Sequence, residues 1–503
     1  MNSCEHQSHS IILGNVTLLG ADGSGSDASK VHLIGIGGIG VSAVARVLLA
    51  RGFRVSGSDV RESQLTLALR AEGAEVTIGH RAELVEDRDL VVYSTAIPDT
   101  NPELVAARAL GVPLRHRAEV LGALLPAWRS VGVIGTHGKG TVSAMITRVL
   151  DAAGRDPSFI IGGLLLDYRT NARVTAPPES GRGLVVVEID ESDGSLVHVR
   201  PDRLVVNNVE ADHLNYYKDL DAVLDTIRDV LEDEGRRELA ILHVGDEGVR
   251  EVVRRLRKPI RSLRFGFADD LHGEHAELVA RDLVLSPAGS EFTVDYHGRE
   301  LGRFKVQRPG RYNAMNALGV VATGLSLDLS VEDIARGLET FSGIENRFSI
   351  VDAGRARVVK DYTSHPTGMR RVIEAARTLA PGPVVAVFKP YRFTMIHYLG
   401  DEYAVAFKGA DHVVITELYT AGEVPIAGVD APWLVKRIAD SGTRVDFVPD
   451  MEAIPAALTA WLDSRPAGEP VPQVVFFGGD DLFRLADRFA ASLQSGAAEG
   501  AAS

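Results

Sequence analysis

Gly135-Thr136-His137-Gly138-Lys139-Gly140-Thr141 decides how this chain is read. An apolar run at 131–134 precedes it and a helix-like run at 142–150 follows. A strand, a glycine-rich turn carrying a lysine, and a helix make a phosphate cradle. Backbone N–H groups and the helix N-terminus face the anion, and Lys139 adds a point charge. The general P-loop pattern needs a glycine where Val133 stands and a Ser or Thr directly after the lysine, where Gly140 stands. The stretch therefore predicts a nucleoside triphosphate site of an unusual class.

Outward from the cradle, strand and helix patterns alternate. Strand-like runs occur at 31–34, 54–56, 90–94, 184–188, 204–208, 239–244, 358–360, 384–388, 412–416 and 474–477, with helical patterns between many of them. This alternation predicts an α/β protein with parallel sheets. Residues about 261–308 carry short alternating segments and predict an antiparallel insertion or edge; 313–325 read as a small-residue helix. Boundaries are placed near 128 and 346, dividing the chain into domains 30–128, 129–345 and 346–491. Residues 1–29 and 492–503 are small and polar and are expected to be flexible tails. An apolar patch at 11–19 is the exception; an edge strand there is the less favoured reading.

With 503 residues the chain exceeds a single core. Its 45% hydrophobic and 24% charged content is that of a soluble globular protein. The formal net charge of -14 argues against non-specific nucleic-acid binding. A single cysteine, Cys4, rules out a disulfide within one chain and fits a reducing compartment. No apolar run reaches membrane-spanning length, and no secretory signal pattern opens the chain. A cytoplasmic protein is expected, with neither nucleic acid nor membrane as partner, as a monomer or homodimer.

A second glycine turn lies upstream. Gly35-Ile36-Gly37-Gly38-Ile39-Gly40 follows a strand and opens a helix, and Ser58-Asp59 ends the next strand. The spacing fits G-x-G-x-x-G with an acid about 20 residues on. One reading is an NAD site with Asp59 on a ribose; another is a tight turn for close packing. No hydride-transfer constellation follows, so binding of some nucleotide or phosphate ranks above a dehydrogenase. Two nucleotide-like sites in one chain suggest that one partner is the substrate.

Downstream of the cradle, two acidic stretches follow apolar strands. They are Glu188-Ile189-Asp190-Glu191-Ser192-Asp193 and Asn208-Val209-Glu210-Ala211-Asp212-His213. Open α/β sheets present their ligand crevice at such strand ends. Phosphoryl transfer requires Mg²⁺, which wants oxygen ligands. Thr141 and Glu188 are placed to supply them, with His213 a less usual third ligand.

These motifs together resemble the Mur ligase family, and within it the members that join L-alanine to UDP-N-acetylmuramate. Gly135–Lys139 resembles the family's ATP loop, Glu188–Asp193 its E-A-D-E-S-D, and Asn208–His213 its N-I-E-A-D-H. Pro309-Gly-Arg-Tyr-Asn313-Ala-Met-Asn316 is similar to P-G-x-H-N-x-x-N. Arg347-Phe348 and Asp361-Tyr362 resemble the linker and first strand of the family's last domain; the spacing at 419–425 and Gly478-Gly479-Asp480 also fit. The resemblance implies three domains: N-terminal Rossmann-like, central P-loop-type ATPase, and C-terminal Rossmann-like.

It also implies ATP and Mg²⁺ as cofactors and a UDP-sugar acceptor plus an amino acid as partners. The acceptor carboxylate would become an acyl phosphate, and the amine would displace phosphate. Gly135 to Thr141, with Asn313, Asn316, Arg347 and Asp361, would bind ATP. Gly35, Gly37, Gly38, Gly40, Ser58, Asp59, Ser94, Thr95, His116 and Arg117 would bind the acceptor. Thr141, Glu188 and His213 would hold metal. Lys139, Glu188, His213, His365 and Arg392 would be catalytic. Lys360, Tyr362, Ser364, His365, Tyr391, Arg392 and Met395 would select the amino acid.

The sequence departs from the family at several of these places. Gly140 displaces the usual hydroxyl to Thr141, as in the G-K-G-S of the related folylpolyglutamate synthetases. The family's D-D-Y-x-H-H-P-T-E stands here as Lys360-Asp361-Tyr362-Thr363-Ser364-His365-Pro366-Thr367-Gly368, and Q-P-H-R-[FY]-[ST]-R as Lys389-Pro390-Tyr391-Arg392-Phe393-Thr394-Met395. Asn215 replaces an acid. L-alanine remains the default substrate. A paralogue with another amino acid or acceptor, and a nucleotide-binding pseudo-enzyme with a regulatory role, stand as alternatives.

Overall fold

The computed structural model describes residues 10–13, 16–19, 28–176, 181–191, 194–213, 216–233, 235, 237–466 and 468–501. Ser192, Asp193 and Asn215, singled out above, lie outside the described residues, as does Cys4.

The first sheet has five parallel strands in the order Glu75–Ile78, Arg54–Asp59, Lys30–Ile34, Leu90–Tyr93, Leu114–His116. Val31, Leu33 and Ile34 are all fully buried, as a strand covered on both faces requires. The strand order reverses beside Lys30–Ile34, so the crevice at its carboxyl end receives the Gly35 turn and Thr95.

The central sheet is ten-stranded. Its parallel part runs Ser158–Leu165, Leu184–Glu188, Arg129–Ile134, Arg203–Val206, Leu239–His243, Ser262–Phe267, Leu278–Ser286. Thr170–Arg173 closes one edge antiparallel, and a meander of Leu278–Ser286, Gly289–Tyr296 and Arg299–Val306 closes the other. The helix after the cradle, Lys139–Ala152, buries Val142, Met145, Ile146, Val149 and Leu150. That i, i+3, i+4, i+7, i+8 spacing is one helical face. It packs with Arg311–Ser326 and Val331–Glu339 over one side of the sheet. Each such fully buried aliphatic side chain contributes roughly 1.5–3 kcal/mol over an exposed one.

The third sheet has six strands: Ser349–Asp352, Arg357–Asp361, Gln473–Phe477, Val384–Phe388, His412–Ile415, Val445–Phe447. Only the first is antiparallel to its neighbour. Its order differs from that of the first sheet, because the last strand inserts between the second and third in chain order. Among the described residues no helix is long and apolar enough to cross a membrane.

The first two sheets share a continuous apolar cluster running from Ile11 to Val252, whereas the third has clusters of its own. The helix Ile39–Ala50 lies on the edge strands Ser158–Leu165 and Thr170–Arg173. Asn171 is fully buried there: its Nδ2 donates to Ile39 O at 2.6 Å, and its Oδ1 accepts from the Arg46 guanidinium.

Both expected tails carry structure. Ser10–Leu13 and Val16–Leu19 pair as an antiparallel hairpin that buries Ile11, Leu13 and Leu18, and Arg115 Nη2 donates to Leu13 O at 3.2 Å. The helix Asp480–Ala501 continues through most of 492–503. Leu493 is buried there and Gln494 Nε2 donates to Asp352 O. In both places a few apolar residues suffice to dock a polar segment.

Candidate active site

The cradle sits where the strand Arg129–Ile134 meets the helix Lys139–Ala152. Gly138 has φ +79, and a Cβ there would stand 2.6 Å from Asn316 Oδ1. Only glycine fits a left-handed turn packed so closely. The loop is tied to the next strand end. His137 N–H donates to Asn208 Oδ1 at 2.7 Å, and the Asn207 and Asn208 amides both donate to His137 O. Asn207 Nδ2 also reaches Asn316 Oδ1 at 3.0 Å, which links the cradle to the helix Arg311–Ser326. Sequence reasoning gave Asn207 and Asn208 no role of their own, although the motif containing Asn208 pointed to this strand end.

Lys139 Nζ donates to Gly135 O at 2.8 Å and to Glu191 Oε1 at 2.7 Å. Burial works against its charge, but Glu191, Asp190 and Glu188 outweigh that and raise its pKa, so it stays cationic. Glu188 Oε2 accepts the Gly162 N–H at 2.6 Å. A Cβ on Gly140 would come within 3.2 Å of the same oxygen. The bare glycine thus leaves the carboxylate unobstructed. Thr141, Glu188 and His213 line one cavity. One hydroxyl, one carboxylate and one imidazole, completed by phosphate oxygens and water, fit a Mg²⁺ ion.

That cavity measures about 970 Å³ and takes lining residues from all three sheets' domains, Thr95, Lys139 and Arg392 among them. At its far end Asn313 is buried and donates to Pro309 O at 2.8 Å. Asp361 accepts the N–H groups of Phe348 and Thr363, with Arg347 at 3.8 Å. Burial raises the Asp361 pKa despite these partners. Arg347 and Asp361 flank the segment that joins the central and third sheets.

The third domain brings His365, Tyr362, Ser364, Tyr391, Arg392 and Met395 to the cavity wall. His365 caps the helix Pro366–Leu379, accepting Thr367 N–H at Nδ1, and its Nε2 donates to Ala211 O at 3.1 Å. The Ala211 contact is the shorter of the two and ties His365 to the end of the neighbouring strand, at the cavity wall. The Ser364 carbonyl accepts from Tyr403 Oη, and the Tyr362 hydroxyl meets Asp480. Arg392 holds φ +65 and lies over Tyr391, which stacks on Tyr419. Glu210 and Arg371, which carried no role in the sequence reading, also face this junction.

Lys360 does not reach the cavity wall. Its amine pairs with Asp487 at 2.6 Å on the helix Asp480–Ala501. Strand alternation turns residue 360 away from the side occupied by Asp361.

At the upstream glycine turn, Gly35 takes φ +72 and packs on Ile97. Thr95 reaches the cavity, and the Ser94 carbonyl closes a turn with Ile97 N–H. Three of the expected acceptor residues make contacts within the fold. Ser58 is fully buried, and its hydroxyl donates to Glu103 Oε2 at 2.7 Å. Asp59 Oδ2 accepts the Gly37 N–H at 2.9 Å, so this carboxylate oxygen shapes the turn itself. His116 caps the helix Arg117–Leu124 and lies edge-on to Tyr93. Arg117 lies against Gly40, at the start of the helix Ile39–Ala50, and reaches Asp190 Oδ2 at 3.4 Å.

Three family profiles match in succession: "Mur ligase family, catalytic domain" over residues 30–129, "Mur ligase middle domain" over 133–324, and "Mur ligase, glutamate ligase domain" over 346–479. The chain is 38% identical over 467 residues to the UDP-N-acetylmuramate–L-alanine ligase of Syntrophotalea carbinolica, covering 92% of this chain and 98% of that one. It is 36% identical over 470 residues to the enzyme of the same name in Geobacter sulfurreducens, covering 92% and 98%. The crystal structure of the UDP-N-acetylmuramate–alanine ligase of Thermotoga maritima superposes with a TM-score of 0.74 at 27% identity, over 93% of this chain and 99% of that one. With its three domains matched in order and relatives similar over nearly their full length, the chain belongs to the Mur ligase family.

Proposed function

We propose that this protein joins L-alanine to the carboxylate of UDP-N-acetylmuramate, converting ATP to ADP and phosphate. The observation that carries the reading is a single cavity lined by the phosphate cradle, by Thr95 and Ala96 of the first domain, and by Tyr391, Arg392 and Met395 of the third. The curated relatives named for this reaction support it over their whole length.

The chain's own groups supply most of the chemistry. Cradle N–H groups and the helix N-terminus hold the phosphates. Lys139 turns from Gly135 O and Glu191 toward the γ-phosphate and offsets charge as it transfers. Asn313, Asn316, Arg347 and Asp361 hold the base and ribose. The glycines 35, 37, 38 and 40, with Thr95 and Arg117, hold the nucleotide-sugar. Its carboxylate attacks the γ-phosphorus and ADP leaves; the amine of alanine then attacks the carbonyl and phosphate leaves. Arg392 steadies the anionic intermediate, and Tyr391 and Met395 shape the space for the amino acid. His365 seats the third domain on the cradle, which excludes water from the acyl phosphate. A magnesium ion held by Thr141, Glu188 and His213 would neutralise the triphosphate. The domain limits we assign are 30–128, 129–345 and 346–491, and the setting is cytoplasmic.

The retained Lys139 and Glu188 speak for an enzyme rather than a regulator. Phosphate release measured with ATP, Mg²⁺ and UDP-N-acetylmuramate against a panel of amino acids tests the reading. Release with L-alanine is expected. Release only with another amino acid would move the protein to a different substrate, and none at all would reject the ligase reading.

A further inference from the structure

Three potential ligands converge beside the cradle but apart from Thr141, Glu188 and His213. They are His137 in the loop, Glu210 at the end of the next strand, and His365 at the start of the helix Pro366–Leu379. Glu210 Oε2 lies 3.5 Å from His137 Nε2 and 3.9 Å from His365 Nδ1. All three ligand atoms fall within 4.8 Å of one another. Zinc bonds of roughly 2.0–2.2 Å set neighbouring tetrahedral ligands roughly 3.3 Å apart, so a small inward adjustment closes the triangle.

The surroundings favour a metal over a simple ion pair. His365 Nε2–H is fixed on the Ala211 carbonyl. This leaves Nδ1 as the lone pair, the arrangement that orients metal-binding histidines. The competing Thr367 N–H is a long 3.3 Å away. His137 Nε2 is buried without a hydrogen-bond partner and faces the carboxylate. Arg371 lies 3.7 Å from the other Glu210 oxygen, which keeps Oε2 for the metal. Two imidazoles and one carboxylate suit zinc-class ions rather than magnesium, and His137 and His365 both line the cavity.

We propose that His137, Glu210 and His365 form a zinc-class metal site that clamps the third domain onto the cradle. The clamp ties the helix Pro366–Leu379 to the cradle loop and to the end of the neighbouring strand. It does not rest on the ligase reading, since its first readout is binding.

The test uses the untagged full chain, stripped with chelator and held in excess Mg²⁺. Co²⁺ is titrated as the probe, with Zn²⁺ stoichiometry measured after gel filtration. Visible d–d bands of four-coordinate cobalt and a single bound Zn²⁺ are expected, unchanged in Glu188→Gln. His365→Gln and Glu210→Gln should weaken binding by more than ~100-fold. Metal-free melting temperatures of both variants check that they fold. Failure of the wild-type chain to bind, loss of the bands in Glu188→Gln, or their survival in folded His365→Gln and Glu210→Gln overturns the proposal.

Discussion

Lys139 and Glu191 form a partly buried ion pair, Nζ to Oε1 at 2.7 Å, inside the phosphate cradle. The pair holds the lysine in place before any phosphate arrives, and the neighbouring acids keep it charged. Lys139→Ala is therefore expected to lower kcat by about 10²–10³-fold or more. The circular dichroism spectrum should be unchanged. Near-normal phosphate release from the alanine variant would remove Lys139 from the reaction.

Gly140 and Gly162 both face the Glu188 carboxylate, with Cβ positions 3.2 Å and 2.9 Å from Oε2. Gly140→Ala should push the carboxylate by a few tenths of an ångström and weaken the Mg²⁺ requirement curve about threefold. Gly162→Ala, the tighter contact, should do so by about tenfold, since metal ligands tolerate little displacement. Mg²⁺ titrations of activity rank the two; the reverse order would place the metal away from Glu188.

His243 is buried, its Nδ1–H donating to Asn207 O at 2.8 Å, and burial lowers its pKa to about 4 from 6.5. Between those values the unfolded chain binds the proton and the folded chain does not. Stability therefore falls as pH drops from 6.5 towards 4, by about 2–3 kcal/mol for this group. His137 acts in the same direction, and Asp246, pushed up to about 6, in the opposite one. Urea unfolding of wild type and His243→Phe across pH 4–7 isolates the effect. The variant should show the flatter profile, and parallel profiles would refute the assignment.

Amino-acid choice should respond to the cavity wall and ignore Lys360. Tyr391→His and Met395→Arg, which restore family residues, are expected to change the ratio of kcat/KM values across an amino-acid panel about tenfold or more. Lys360→Ala loses only a partly exposed ion pair, so the ratio should hold. The family's glutamate cannot be restored at 368 without movement, because a Cβ there meets Thr363 Oγ1 at 2.3 Å. A shift with Lys360→Ala would contradict the placement.

The cradle was legible because glycine, lysine and a flanking apolar strand are local signals. The antiparallel meander was legible for the same reason. What escaped depends on partners distant in sequence. Ser58 faces inward because Glu103 waits beneath it, and no periodicity reports a residue 45 positions on. Lys360 finds Asp487 across 127 residues. Glu210 meets His365 only once two domains have packed. The paired strands Ser10–Leu13 and Val16–Leu19 were the less favoured reading because two short strands look like a loose tail until a neighbouring core accepts their apolar faces.

Asn171 fastens the helix Ile39–Ala50 to the edge of the central sheet, and the apolar cluster beneath is common to both. The glycine turn and the cradle would therefore travel together as one anvil. Relative motion during a catalytic cycle is left to the third domain, whose cores are separate. Distance measurements between labels should register ATP binding across residues 342–348 and stay silent between the first two domains. The partner that arrives last would then be the one held by the moving part, the amino acid.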